Sequence, residues 1–263
     1  MTLDAITQQI KEKHYAAIPI ELKRSDFEVA VAAFMKFLEV PQEVKDPIYF
    51  QLYPGNRGSE VGYKKYLRDL GNTDNREYFH YNEHADERFK EQETSIPELH
   101  AFLEKTRMIY AEAKRTIRSV VEAFEPAYPG LTAKFFVEGE RPNFYLRFLK
   151  YDRLKPGEFL AKGHYDRGTT TLALAESAPG LRMGLTDADV RDVVHAEGQA
   201  LFMPGLRFQS ITSPDFPPTW HDVVQKNEDT FSQDVARWAV VFFADIHGVN
   251  QITYEEAHTP KAT

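Results

Sequence analysis

Two histidines and one aspartate have the spacing of a metal site in this sequence of 263 residues. His164 and Asp166 are two positions apart, and His221 follows Asp166 by 55 positions (221 − 166). Two imidazoles and one carboxylate are the ligands of a facial-triad iron(II) centre, which leaves positions open for a cosubstrate and dioxygen. The three residues therefore predict a non-haem iron centre, with His164, Asp166 and His221 as both the metal ligands and the catalytic group.

The spacing of the first two ligands fits a β-strand. Residues i and i+2 of a strand point to the same face, so His164 and Asp166 would aim at one point while Tyr165 faces away. The third ligand then comes from a distant strand, and 55 positions accommodate several strand–turn units (221 − 166). His195 is the rival third ligand, but it follows Asp166 by only 29 positions (195 − 166), in a segment typical of a strand end.

Composition limits the classes of protein to which the chain can belong. Its residues are 42% hydrophobic, which is enough for one large core. The net charge of −8 argues against nucleic acid as a partner. The absence of cysteine excludes disulfides, thiolate metal sites and cysteine nucleophiles. Neither a signal peptide nor a membrane-spanning apolar stretch is visible, so we expect a soluble cytoplasmic protein with no membrane partner.

The elements that must position the triad change in type along the chain. Helical patterns cover residues 4–17, a segment from Ser25 to Pro41, and residues 97–124, whereas residues 51–95 look irregular. From about residue 143 onward, short apolar runs alternate with turns, which is typical of a sandwich or jelly roll. The predicted strands, after an edge strand at 18–20, cover residues 144–151, 159–165, 169–175, 181–183, 200–203 and 238–243.

These patterns together predict an α+β fold with a double-stranded β-helix (jelly roll) core and with N-terminal and backing α-helices. No flexible stretch separates the two halves, so we expect a single domain over residues 1–263. Within it, residues 1–135 would be mainly helical, residues 136–250 would form the jelly-roll core that carries the metal site, and residues 251–263 would be a C-terminal tail.

Phrases that flank the triad also occur in an order typical of one family. The phrase of residues 163–174, GHYDRGTTTLAL, contains the first two ligands, and residues 237–243, RWAVVFF, follow the distal histidine. Further phrases cover residues 18–20, 34–46, 62–63, 74–79, 146–151, 179–183 and 198–205. With these phrases the chain resembles the iron(II)/2-oxoglutarate-dependent dioxygenases, and most of all their isopenicillin N synthase-like branch.

The resemblance implies a cosubstrate site. Fe(II) would be held by the triad, and 2-oxoglutarate would be held by Arg237, whose planar guanidinium can bind a carboxylate bidentately. Ala239 stands where this family usually has serine or threonine, so one hydrogen bond to the cosubstrate is absent or is supplied elsewhere, with Tyr151 as the candidate donor. The retained Asp166 favours hydroxylation, desaturation or ring formation, since halogenating members replace this acid with a small residue.

The predicted enzyme would use O2 and 2-oxoglutarate to oxidise a small polar metabolite, such as an amino acid or a specialised metabolite, with release of succinate and CO2. The candidate substrate-binding residues are Arg57, Tyr63, Arg76, Tyr81, Tyr145 and Arg147. Three alternatives stay open: an iron oxidase of the same fold that does not use 2-oxoglutarate, a non-catalytic metal-binding sensor module, and a zinc hydrolase.

Overall fold

Helices and strands alternate through the residues that the computed structural model describes, which are 2–49, 61–66, 76–226, 231–232 and 234–248. The helices are α1 (Leu3–Lys13), α2 (Arg24–Glu39), α3 (Gln42–Lys45), α4 (Ala85–Arg88), α5 (Lys90–Ser95), α6 (Pro97–Phe124), α7 (Leu131–Phe135) and α8 (Leu206–Ile211), with a 3-10 turn at Asp46–Ile48. The strands are β1 (Ala16–Pro19), β2 (Gly62–Tyr66), β3 (Arg76–Tyr81), β4 (Asn143–Asp152), β5 (Phe159–Tyr165), β6 (Thr170–Glu176), β7 (Leu181–Gly184), β8 (Arg191–Asp192), β9 (Gln199–Pro204), β10 (Trp220–Val224) and β11 (Val235–Asp245).

The strands form two antiparallel sheets. The larger sheet has seven strands in the order β1-β9-β6-β11-β4-β3-β2, and the smaller has four in the order β5-β10-β7-β8. β1 lies at an edge of the larger sheet, as predicted. Proline is tolerated there, because an edge strand pairs on one side only and Pro19 has no N–H to donate. The observed architecture is therefore a mixture of helices and antiparallel sheets.

The longest helix, α6, covers one face of the larger sheet together with α2. α6 begins at Pro97, where the N–H that proline lacks would have no partner within the helix. A buried apolar stripe that includes Phe102 and Phe124 then runs along the helix. Phe102 contacts Phe34 of α2 and Phe148 of β4, with ring centroids 5.2 Å and 4.9 Å away. Burial of each such ring stabilises the fold by about 1.5–3 kcal/mol.

Side-chain alternation along β4 divides the protein into three layers. Phe144, Leu146 and Phe148 point to the helices, whereas Leu149 and Tyr151 belong to a second apolar cluster between the two sheets. Because successive strand residues point to opposite faces, each long strand can serve both clusters. The layer between the sheets is where the metal-site residues lie.

The prediction for the N-terminal half was partly wrong. The irregular segment predicted at 51–95 contains β2, β3, α4 and α5. β1, β2 and β3 all join the larger sheet, so the region 1–135 supplies strands as well as helices. Strand β8 was not predicted, and β10 was expected only as a distant strand that carries His221, without bounds. Both strands are short and have no clear apolar alternation. Among the described helices, none has both the length and the apolar character needed to cross a bilayer.

Candidate metal centre

The structure brings His164, Asp166 and His221 together. One ligand atom from each of the three lies within 4.8 Å of the other two, and no other such group occurs in the described part of the chain. The Oδ1 atom of Asp166 lies 3.7 Å from Nε2 of His164 and 3.9 Å from Nε2 of His221. Three donor atoms of these types converge on one point, which is the arrangement a facial triad requires.

Strand pairing explains why the two imidazoles are adjacent. His164 on β5 and His221 on β10 are directly opposite each other in the antiparallel register, and their ring centroids are 4.4 Å apart. Asp166 follows the last residue of β5 and lies in the turn that leads to β6. The backbone N–H of Leu206 donates to the carbonyl of Asp166 over 2.9 Å, which connects this turn to the start of α8.

Hydrogen bonds orient each ligand. Nδ1 of His164 lies 2.8 Å from the carbonyl oxygen of Lys162, and Nδ1 of His221 lies 3.3 Å from that of Thr219. A proton on Nδ1 leaves Nε2 of each ring free to bind a metal ion. The hydroxyl of Thr171 donates to Oδ2 of Asp166 over 2.6 Å, so Oδ1 remains available.

Electrostatics favour the metal-binding protonation states of His164 and Asp166. Surrounding protein atoms lower the pKa of His164 by desolvation, and the neighbouring His221 lowers it further, although 49% of the His164 side chain is open to the cavity. Burial acts to raise the pKa of Asp166, but His221, His164 and the Thr171 hydroxyl together bring it below its ordinary value. A neutral imidazole and an ionised carboxylate are the forms that bind metal.

A small inner cavity of about 80 Å³ extends from the triad between the two sheets to Arg237. The Arg237 side chain is only 2% exposed, and its Nε and Nη1 atoms have no hydrogen-bond partner among the described residues. Tyr151, which lies opposite Arg237 in the β4–β11 register, lines the same cavity. Buried donors without partners are costly, so this end of the cavity fits a bound carboxylate.

Glu176 also lies at this end of the cavity. Its Oε2 accepts a hydrogen bond from Nη2 of Arg237 over 2.7 Å, and Glu176 is only 8% exposed. Ala239 lines the cavity too and offers no side-chain hydrogen bond. Arg237 therefore has one nitrogen paired with an internal acid and two nitrogens still available to a ligand.

A larger outer cavity of about 520 Å³ opens beside the triad. Three of the predicted substrate residues, Arg76, Tyr145 and Arg147, line it together with His164 and Asp166. Arg76 and Arg147 also line the inner cavity, so they lie where the two cavities meet.

The structure places the other predicted substrate residues away from the cavities, or does not describe them. Tyr63 is fully buried and donates to Glu77 over 2.6 Å, while Tyr81 donates to Asp86 over 3.0 Å on the helix side of the sheet. Both tyrosines were wrongly predicted to line the site, because strand register turns their side chains to the opposite face. Arg57 lies outside the described residues.

The rival ligand His195 does not approach the triad. Its Nε2 lies 2.6 Å from the carbonyl oxygen of Gln199, and it lines a separate cavity beside α2. Three further residues of the site, Glu176, Thr171 and Phe243, were not predicted from the sequence. Strand alternation identifies Phe243 as a site residue, because it lies an even number of positions after Arg237 and therefore on the same face of the strand. No local pattern identifies Glu176 or Thr171.

Solved structures of other proteins share this fold, although sequence comparisons find no match. At the level of sequence, no family model and no curated protein matches this chain. The structure is similar to that of T7H from Neurospora crassa in complex with alpha-KG and 5-formyluracil, with 18% identity and a TM-score of 0.69 over 92% of this chain and 78% of that one.

Two bacterial structures are similar to the same degree. A candidate oxygenase from Shewanella oneidensis has 18% identity and a TM-score of 0.71, over 96% of this chain and 90% of that one. A candidate 2OG-Fe(II) oxygenase family protein from Caulobacter crescentus has 21% identity and a TM-score of 0.68, over 92% and 80%. The chain therefore has the fold of the 2-oxoglutarate- and iron(II)-dependent oxygenases, with its His-Asp-His group between the two sheets.

Proposed function

We propose that this chain is an oxygenase that uses iron(II), 2-oxoglutarate and O2 to oxidise a small polar molecule. Hydroxylation is the expected outcome, with desaturation and ring closure as variants. The observation that carries the proposal is one cavity with the His-Asp-His group at one end and the unpaired donors of Arg237 at the other. The two sheets would form a double-stranded β-helix within a single domain, and membership of the isopenicillin N synthase-like branch stays a prediction.

The triad residues fit a resident iron ion. His164 and His221 would hold it through Nε2 and Asp166 through Oδ1, since their other polar atoms already have partners. Bound iron(II) with 2-oxoglutarate supplies oxidising power, because O2 is reduced while the cosubstrate becomes succinate and CO2. The protein residues position these groups and limit the access of water.

Residues of the inner cavity fit the cosubstrate. Nε and Nη1 of Arg237, with the hydroxyl of Tyr151, would hold its distal carboxylate. Leu181, Met203 and Val223 form apolar walls beside these groups, and the volume of about 80 Å³ leaves little room for water. Exclusion of water strengthens each polar contact in the cavity and protects reactive species from side reactions.

A second candidate function is an iron oxidase that does not use 2-oxoglutarate. The Glu176–Arg237 ion pair favours it, because the internal carboxylate reduces the positive charge available to an external one. Ala239 also favours this function, because it offers no side-chain hydrogen bond to a cosubstrate. A metal-binding sensor would have the same ligands and would consume no oxygen with any substrate, and a zinc hydrolase would bind zinc without oxygen chemistry.

An anaerobic titration separates the proposed enzyme from these alternatives. Metal-free protein receives iron(II) and then 2-oxoglutarate, and the visible absorption spectrum is recorded at each step. A weak charge-transfer band that needs both additions, and that is lost in Arg237→Gln, is the result expected for the proposed enzyme. Iron binding without the band would favour the oxidase or the sensor, and absence of iron binding would contradict the proposal.

A further inference from the structure

The outer cavity is positively charged in an acidic protein. The whole chain has a net charge of −8. Among the described residues that line the cavity, in contrast, four are cationic, namely Arg76, Arg147, Lys162 and Arg167, and two are acidic, namely Asp166 and Asp245. Asp166 belongs to the metal centre, and Asp245 already accepts from the backbone N–H of Thr169. A cavity of about 520 Å³ with this charge attracts a small anionic molecule.

Arg147 is held in this cavity by contacts on several sides. Its Nε donates to Nε2 of His80 over 2.6 Å. Its guanidinium carbon lies 4.6 Å from the ring centroid of Phe243, 5.3 Å from that of Tyr78 and 5.6 Å from that of Tyr145. Burial, and next the charge of Arg147, hold the pKa of His80 well below its ordinary value, so His80 accepts this hydrogen bond as a neutral imidazole.

No carboxylate forms an ion pair with Arg147 within the described part of the chain, and the charge of Asp166 acts on it only over a longer distance. Half-buried Arg182 pairs with Asp222 over 2.7 Å, and Arg237 pairs with Glu176 over the same distance. The contacts of Arg147, in contrast, are one imidazole and three aromatic rings. An immobilised guanidinium with free terminal nitrogens can bind an anion with little loss of side-chain entropy.

We infer that the substrate is an organic acid whose carboxylate pairs with Arg147 at the junction of the two cavities. Arg76, which lines both cavities, adds a second positive charge, and Tyr145 and Phe243 offer aromatic surface to the rest of the molecule. This inference rests on the proposed function, since it assigns the substrate of the same site. In this arrangement Arg147 would bind the carboxylate of the substrate, and Arg237 would bind the distal carboxylate of the cosubstrate.

The test compares an acid with its uncharged isostere. The probes are 4-fluorophenylacetate and 4-fluorophenylacetamide, and fluorine NMR of the probe measures binding to the full-length, metal-free protein. We expect the acid to bind at least about tenfold more tightly, because a hydrogen bond to a charged group is about twice as strong as one between neutral groups. Arg147→Gln should remove this preference, whereas Arg191→Gln, at an exposed position outside both cavities, should keep it.

A second variant controls for damage to the fold, because Arg147 also packs against rings. Arg147→Lys keeps the charge and the apolar stem, so it should melt like the wild type and lose part of the preference, since an ammonium cannot form a planar fork. Equal binding of acid and amide, no binding of the acid, or a preference that persists in Arg147→Gln would overturn the inference. Tighter binding of 4-fluorobenzylphosphonate than of the acid would also overturn the inference, because it would mean that the site recognises a phosphate-like group and not a carboxylate.

The outcome is separable from that of the proposed function. A charge preference that depends on Arg147, without the absorption band of iron and 2-oxoglutarate, would defeat only the proposed function. The band without any charge preference would defeat only the assignment of an organic acid.

Discussion

His164 and His221 each have Nδ1 near the carbonyl oxygen of the residue two positions earlier, Lys162 and Thr219. The same local arrangement on two strands therefore selects the same tautomer twice and presents two Nε2 atoms to one point. Thr171 does the equivalent for Asp166 by occupying one carboxylate oxygen. These contacts select the atoms that would bind the metal ion in the proposed enzyme.

Removal of single ligands tests this assignment. His164→Ala and His221→Ala should each weaken iron(II) binding by more than about a hundredfold, since loss of a ligand costs more than loss of its supporting contacts. His195→Ala should bind iron like the wild type, because His195 lies in a separate cavity. Anaerobic equilibrium dialysis measures the affinities. Weakened binding in His195→Ala alone would identify it as the true third ligand.

Removal of the negative charge beside Arg237 should strengthen the binding of 2-oxoglutarate. Glu176→Gln keeps a hydrogen-bond acceptor for Nη2 and removes a buried negative charge, so 2-oxoglutarate should bind about tenfold more tightly. Titration of the iron-loaded protein, followed by the absorption band, gives the affinity. Asp187→Asn, an exposed acid, is the matched control for net charge. Weaker binding in Glu176→Gln would mean that Glu176 mainly orients the guanidinium.

At the scale of elements, the site depends on how closely β5 and β10 approach. Gly163 of β5 lies against the Trp220 ring of β10, and a Cβ atom at this glycine would lie 2.6 Å from Cζ2 of that ring. These residues immediately precede His164 and His221 in the sequence. The missing side chain at Gly163 is therefore part of what lets the two imidazoles meet.

Gly163→Ala should separate the two strands. We expect a loss of stability of about 1–3 kcal/mol from overpacking, together with weaker iron binding. Trp220→Phe removes the ring atoms that the new methyl group would meet, so the double variant should regain much of the iron affinity. Thermal melts and iron titrations of both variants check this. An unchanged affinity in Gly163→Ala would show that the strands can part without disturbing the triad.

At the scale of the whole molecule, the N-terminal and C-terminal halves share one sheet and one core. β1 pairs with β9, β3 pairs with β4, and β2 extends the same sheet by pairing with β3. Helix α6 packs on this sheet. Neither half could bury its apolar face alone. The proposed single domain should therefore unfold in one cooperative calorimetric transition. A separate transition that involves the residues before 136 would contradict it.

Buried His80 makes the stability of the molecule dependent on pH. Its folded pKa lies well below the unfolded value of about 6.5, because of burial and the charge of Arg147. At acidic pH the unfolded chain binds a proton that the folded chain does not, so the stabilisation present above pH 6.5 is lost as the pH falls below it.

The contribution of this one residue is measurable by difference. Below about pH 6.5, the free energy of unfolding of the wild type should fall by up to about 1.4 kcal/mol per pH unit more than that of His80→Gln. Urea denaturation between pH 5 and pH 8 gives both curves. Parallel curves for the two proteins would mean that His80 is protonated in the folded state. Other histidines are common to both proteins and cancel in the difference.

Local periodicity was enough to predict the elements that carry the site. The apolar stripe and Pro97 predicted the 97–124 helix with its observed bounds, and the run at 159–165 matches β5. The i and i+2 spacing of His164 and Asp166 predicted their convergence. Each of these features depends on residues close in sequence, and the physical rules that govern them act over one or two turns or pleats.

Pairing across long separations was decided only by the tertiary structure. The sequence by itself indicated a His-Asp-His group, an arginine for a carboxylate and the helical and strand regions around them. It could not place Glu176 against Arg237 or His80 against Arg147, and it assigned Tyr63 and Tyr81 to the wrong face of the sheet. Register between strands determines these contacts, and a shift of one residue would exchange the two faces, so no local pattern contains that information.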